Sequence, residues 1–140
     1  MAGVPGLVTL PGTARAVGVA RHWGALVLEA AGCGCVDEAL IVVSELVGNA
    51  VRHTRSGGPG GKITMLIVES GGDMVRIEVV DDGAVSVPAP REPDSSELSG
   101  RGLWLVDELS AEWGVRVVAG DRRAVWALMP ISERQPAHAE

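Results

Sequence analysis

"KITMLIVESGGDMVRIEVVDD", residues 62–82, decides the fold. Its first part is a run of β-branched and apolar residues. "GGD" interrupts it, and Val75, Ile77 and Val79 then alternate with Arg76 and Glu78. Two strand-like runs around a Gly-rich turn predict a β-hairpin. A second pair lies near the C-terminus, "WGVRVVAG" and "RRAVWALMP", with a turn at Gly120-Asp121. A short strand, "LVTLPG", precedes everything and is ended by Pro11 and Gly12.

Helices fill the gaps. Thr13 is a candidate cap for a helix through "ARAVGVARHWGALVLEAAG", which Gly32 would stop. Asp37 is a candidate cap for a second helix, from about Glu38 to Arg55, terminated by "SGGPGG". "RGLWLVDEL" reads as a short third helix. Before it, "GAVSVPAPREPDSSELSG" has no helical period and reads as a long loop, of the kind that carries function. Strands in antiparallel pairs with helices between them predict an α/β fold. Its form is a two-layer sandwich, a mainly antiparallel sheet with helices on one face. The expected division is one domain over 1–131 and a polar tail over 132–140.

Composition narrows the function. The chain has 140 residues, enough for one domain with its own core, and 46% are apolar. The net charge of -6 argues against non-specific nucleic-acid binding, which needs a basic surface to displace counterions. Lys62 is the sole lysine beside many arginines, a compositional bias with no functional content. Cys33 and Cys35 sit in "CGC", too close for an easy disulfide and without the second pair that a zinc site would need. They fit thiols in a reducing compartment. No signal-peptide pattern and no apolar run of transmembrane length is present, so the expectation is a cytoplasmic protein without a membrane partner.

"ELVGNAVRHT", residues 45–54, carries the first chemical signal. At about 100° per residue, Leu40, Val43, Val47, Ala50 and Val51 gather on one side of the second helix. Glu45, Asn49 and His53 gather roughly opposite. From this helix alone a solvated face is the better explanation, because amphipathic helices routinely look like this. Two further segments favour a site. "VVDDG" places Asp81 and Asp82 at a strand end before Gly83, although such a run is also an ordinary turn. "SGRGL" puts Gly100 and Gly102 at a helix start, where exposed backbone N–H groups can seat phosphate.

Helix "ExxxNAxxH", strand-end "DxG" and a later "GxGL", in this order, resemble the GHKL nucleotide-binding superfamily. Within it, "SELVGNAVRHT", "GRGLWLVDELSAEWGV" and "AVWALMP" are similar to the small single-domain branch of RsbW-like anti-sigma factor serine/threonine kinases. The resemblance runs from "TARAVGVAR" to about Met129. It implies the Bergerat fold and a site for ATP with Mg2+. By position, Glu45 matches the general base and Asn49 the magnesium ligand. Asp81 matches the aspartate that reads the adenine amino group, and Gly83 lets the ring approach the backbone. Gly100, Arg101, Gly102 and Leu103 match the phosphate loop at the end of a lid. His53 matches the last position of the helical motif, where a structural cap is the alternative role.

Two departures from the pattern bear on ATP affinity. Ala84 and Val85 follow Gly83 where relatives often continue "DxGxG". Ala124 stands where many relatives carry a threonine near the adenine edge. The implied function is an ATP-binding regulator that switches between protein partners, a sigma factor or an antagonist with an acceptor serine. Serine/threonine kinase activity is the leading form. A non-catalytic ATP-binding or interaction module is the alternative, and a purely structural α/β protein is the third. Relatives of this type form homodimers, but no coiled-coil seam is visible.

Overall fold

The computed structural model describes residues 6–83 and 98–131, with the side chains of 98–102 left aside. Five strands form one sheet: β1 (Gly6–Pro11), β2 (Lys62–Ser70), β3 (Met74–Asp81), β4 (Glu112–Val117) and β5 (Arg123–Pro130). Their order is β1-β2-β3-β5-β4, and every neighbouring pair is antiparallel. The described helices are α1 (Arg15–Ala30), α2 (Val36–His53) and α3 (Leu98–Leu109), with a 3-10 turn at Arg55–Gly57. This is the expected α/β sandwich. The segment expected to be a long loop, 84–99, falls largely outside the described residues, as does the tail beyond Ile131.

The hairpin's alternation fixes which face is buried. Val75, Ile77 and Val79 on β3 are buried, with Ile63, Met65 and Ile67 on β2 and Val125, Ala127 and Met129 on β5. Ala16, Ala20 and Leu28 of α1, and Val42, Val43, Leu46 and Val47 of α2, belong to the same core. The buried face of α2 is broader than the wheel predicts, because Ala39, Val42 and Leu46 join it while Leu40 and Val51 are half-buried. A helix packed on a sheet and on a neighbouring helix covers more than one stripe.

Element ends follow local chemistry, with three corrections. Gly32 stops α1 as expected. At φ +80° it lets Cys33 N–H reach Leu28 O and its own N–H reach Glu29 O, a Schellman closure. Thr13 does not cap α1 with its side chain. The cap position is Ala14, and it is the Thr13 carbonyl that accepts, from Ala16 N–H. Asp37 does not cap α2 either. Cys35 occupies that position, and Asp37 sits in the first turn, where its charge favours the helix dipole. α2 ends at His53 rather than Arg55 because Thr54 turns extended, its hydroxyl donating to Ala50 O and accepting from Ser56 N–H.

Candidate functional site

The tail of α2 is tied to the end of β3. Arg55 N–H donates to Gly83 O at 2.8 Å. The buried Ser56 hydroxyl donates to Lys62 O at 2.7 Å and accepts from Asp82 N–H at 2.9 Å. Lys62 N–H in turn donates to Asp82 Oδ2 at 3.0 Å. These bonds hold the helix bearing Glu45, Asn49 and His53 against the strand end bearing Asp81 and Gly83.

On α2, Glu45 and Asn49 are half-buried and one turn apart, while His53 is exposed. Asn49 Oδ1 accepts a long hydrogen bond from Arg52 Nη2 at 3.3 Å, and its Nδ2 is buried without a partner. A long bond to an exposed guanidinium is one that a competing cation can displace. Although the residue is exposed, desolvation of the imidazole by the protein around it, and then the charge of Arg52, lower the His53 pKa and favour the neutral form.

At the sheet end, Asp81 is only 2% exposed. Burial pushes its carboxyl above the ordinary carboxylate range, against the Gly83 N–H bond and the Arg123 charge, which pull it down. Gly83 N–H donates to Asp81 Oδ1 at 2.7 Å. Gly83 has φ +105°, and a Cβ there would lie 2.4 Å from the Asp121 carbonyl oxygen. No other residue fits that position without moving the β4–β5 turn.

Position 123 is the residue that sequence reasoning missed. Asp81 pairs directly with Arg123 across β3 and β5, whereas Ala124 pairs with Val80. Cross-strand partners share a face of the sheet. Arg123 therefore lies on the Asp81 face and Ala124 on the opposite one. The reading of Ala124 as a lost contact to the base edge is corrected by this register. Arg123 is 8% exposed, and its Nε and Nη2 have no hydrogen-bond partner.

The glycine motif is also revised in part. The backbone is helical from Leu98, so Gly100 and Gly102 lie at a helix start as expected, and α3 opens earlier than the Arg101 at which "RGLWLVDEL" begins. The unpaired N–H groups at the start of an α-helix are those of the cap and the first three helical residues, which here includes Gly100 but not Arg101 or Gly102. The Arg101 side chain lies outside the described residues. Leu103 is a core residue, 5% exposed.

These groups suit a purine nucleotide: a buried carboxylate for an amine, a glycine that opens the strand end, and orphaned donors for ring acceptors. No group of three or more His, Cys, Asp or Glu side chains gathers among the described residues. A magnesium ion would thus draw on Asn49 and on the nucleotide's own phosphates, as that ion commonly does.

Sequence comparison identifies the family. The profile of the histidine kinase-like ATPase domain matches residues 10–127, nearly the whole chain. The chain belongs to the histidine kinase-like ATPase domain family. Among solved structures, this ATPase-type domain is similar to the RsbU and RsbW domains of Rv1364c from Mycobacterium tuberculosis, with a TM-score of 0.64 and 18% sequence identity. The match covers 89% of the present chain and 31% of the other, so the domain spans under a third of that protein's length. At this identity the likeness establishes the shared fold. No curated protein sequence matches the domain. No helix among the described residues is long and apolar enough to cross a membrane.

Ser56 was also missed, because "SGGPGG" reads as a terminator and nothing local marks its serine as a buried crosslink. Arg123 carried a faint signal: a charged residue opening an otherwise apolar strand.

Proposed function

We propose that this domain is an ATP-binding regulatory protein of the anti-sigma kinase type. It acts on a protein partner, a sigma factor or an antagonist bearing an acceptor serine, and not on nucleic acid or a membrane. The observation that carries the reading is the juxtaposition of Glu45 and Asn49, one turn apart on α2, with buried Asp81, through the Arg55–Gly83 backbone bond.

ATP with Mg2+ supplies the transferable phosphoryl group when bound. The chain's own groups then have separable tasks. Asp81 accepts a hydrogen bond from the base amine in a site where water competes poorly. Asn49 offers its amide oxygen to the cation once Arg52 releases it. Glu45 takes the proton from an attacking serine hydroxyl. The Gly100 amide, at the positive end of α3, favours phosphate. Residues 1–131 are proposed to act as one unit, in the cytoplasm, with a homodimer as the assembly that relatives suggest.

Calorimetric titration with ATP, with and without magnesium, tests the reading. Binding that depends on magnesium supports it, and absence of binding sinks it. A second reading, a binding module without catalysis, is favoured by one observation: the Asn49 oxygen is already engaged by Arg52. A phosphotransfer assay with serine-bearing partner proteins separates the two.

A further inference from the structure

On α2 the guanidinium of Arg52 folds back along the helix, and its Nη2 donates to Asn49 Oδ1 at 3.3 Å, in an exposed contact. Among the described residues no carboxylate pairs with Arg52. The charge is set instead against a neutral amide oxygen, the same atom proposed above to hold magnesium. The contact also orients the amide. Asn49 Nδ2 is the enclosed end, without a partner among the described residues, and the oxygen faces Arg52. Turning the amide over would set two donors face to face.

Gly48 makes room for this arrangement. It lies in the interior of α2, where glycine is less favourable than alanine. A Cβ at position 48 would lie 2.9 Å from Arg52 Nη1, 3.4 Å from its Nη2 and 3.5 Å from its Cζ. All three nearest atoms, the local helix backbone aside, thus belong to one guanidinium. The missing side chain is the seat on which that group rests. A magnesium ion on Asn49 Oδ1 would stand beside it, and two positive charges so close repel.

We propose that Arg52, seated on Gly48, is a positioning residue that holds the Asn49 oxygen against magnesium, so that the cation enters only when the guanidinium swings off the helix. This rests on the reading of Asn49 as the magnesium ligand of the nucleotide site. Wild type therefore takes nucleotide with magnesium less tightly than the same ligands would without the arginine.

The test is calorimetric titration of the full chain with ATP, in saturating magnesium and in a chelator. Arg52→Met removes the guanidinium and keeps an unbranched, helix-compatible side chain. Gly48→Ala keeps the charge and fills its seat. Arg52 is exposed and alanine suits a helix interior, so both variants are compatible with α2. In saturating magnesium Arg52→Met should bind ATP about two- to tenfold more tightly than wild type, the scale of one hydrogen bond. Gly48→Ala should shift affinity the same way by a smaller factor. Affinity in the chelator should change little in either variant. Damaged folding weakens binding, so it cannot imitate this gain.

The proposal is overturned if neither variant tightens binding in magnesium. It is overturned as well if only the arginine variant does, because net charge would then account for the effect. Weaker binding of Arg52→Met in the chelator would place the arginine on the phosphates and refute it too. These outcomes leave the Asn49 reading standing. If magnesium has no effect on wild type, or wild type binds no ATP, that reading fails and the proposal falls with it.

Discussion

The Ser56 hydroxyl bridges Asp82 N–H and Lys62 O, so one buried side chain joins the end of α2 to both strands of the central hairpin. Serine's small size lets the segment pass close to the sheet while both backbone groups stay paired.

Ser56→Ala removes both bonds at once. Unpaired buried backbone groups cost about 1–3 kcal/mol each. Lys62 is exposed, so water can replace part of its loss, and the expected destabilisation is about 2 kcal/mol. Urea denaturation reads this directly. An unchanged midpoint would show that the crosslink is dispensable.

Asp81 and Asn49 should fail in different ways. Asp81→Asn places an amide where a carboxylate accepts, and nucleotide binding should weaken by about 1–3 kcal/mol with or without magnesium. Asn49→Ala should leave magnesium-free binding intact and remove the gain that magnesium gives. Titrations of both variants that match wild type would refute the assignment.

Glu45→Gln is isosteric, so the helix and nucleotide affinity should persist. Phosphotransfer should fall roughly 10²–10⁴-fold, the usual contribution of a positioned base. An equal turnover rate in wild type and variant would remove Glu45 from the chemistry.

The burial of Asp81 predicts a pH dependence of stability. Its folded-state pKa lies above that of an ordinary carboxylate in the unfolded chain, so in the window between the two the native state holds more proton than the unfolded chain. Stability from this group is then present at low pH and is lost as pH rises through the folded value. Asp81→Asn cannot titrate. The stability of wild type relative to this variant should therefore fall across that window and level off above it. Denaturation curves at several pH values would show this, and a difference that is flat throughout would contradict it.

Gly83→Ala should be costly. The φ of +105° is foreign to alanine, and the new Cβ would meet the Asp121 carbonyl at 2.4 Å. A loss of about 1–3 kcal/mol is expected from the backbone conformation alone, with weakened nucleotide binding. Thermal melts and titration together check it. A variant that melts like wild type would mean that the β4–β5 turn moves aside freely.

Much of this was legible in the chain itself. The alternation of Val75, Ile77 and Val79 marked the hairpin and its buried face. Gly32 marked the end of α1, and Gly120, at φ +72°, marked the last turn. Glu45, Asn49, Asp81 and Gly83 were visible because helix spacing and strand-end turns are written in a few consecutive residues. The capping roles of Thr13 and Asp37 were misread because several residues near a helix start can cap it, and packing chooses among them.

What the sequence alone could not determine is how distant segments meet. Whether position 123 or 124 faces Asp81 depends on the register of β5 against β3, and a slip of one residue exchanges the two faces. The same holds for Ser56, whose partners come from two strands, and for Leu103, whose place in the core depends on how α3 seats on the other elements. Local pattern set which residues form strands and helices, because period and turn chemistry act over a few bonds. Tertiary structure alone decided that Asp81 and Arg123 stand opposite one another, because that pairing joins strands some forty residues apart in the chain.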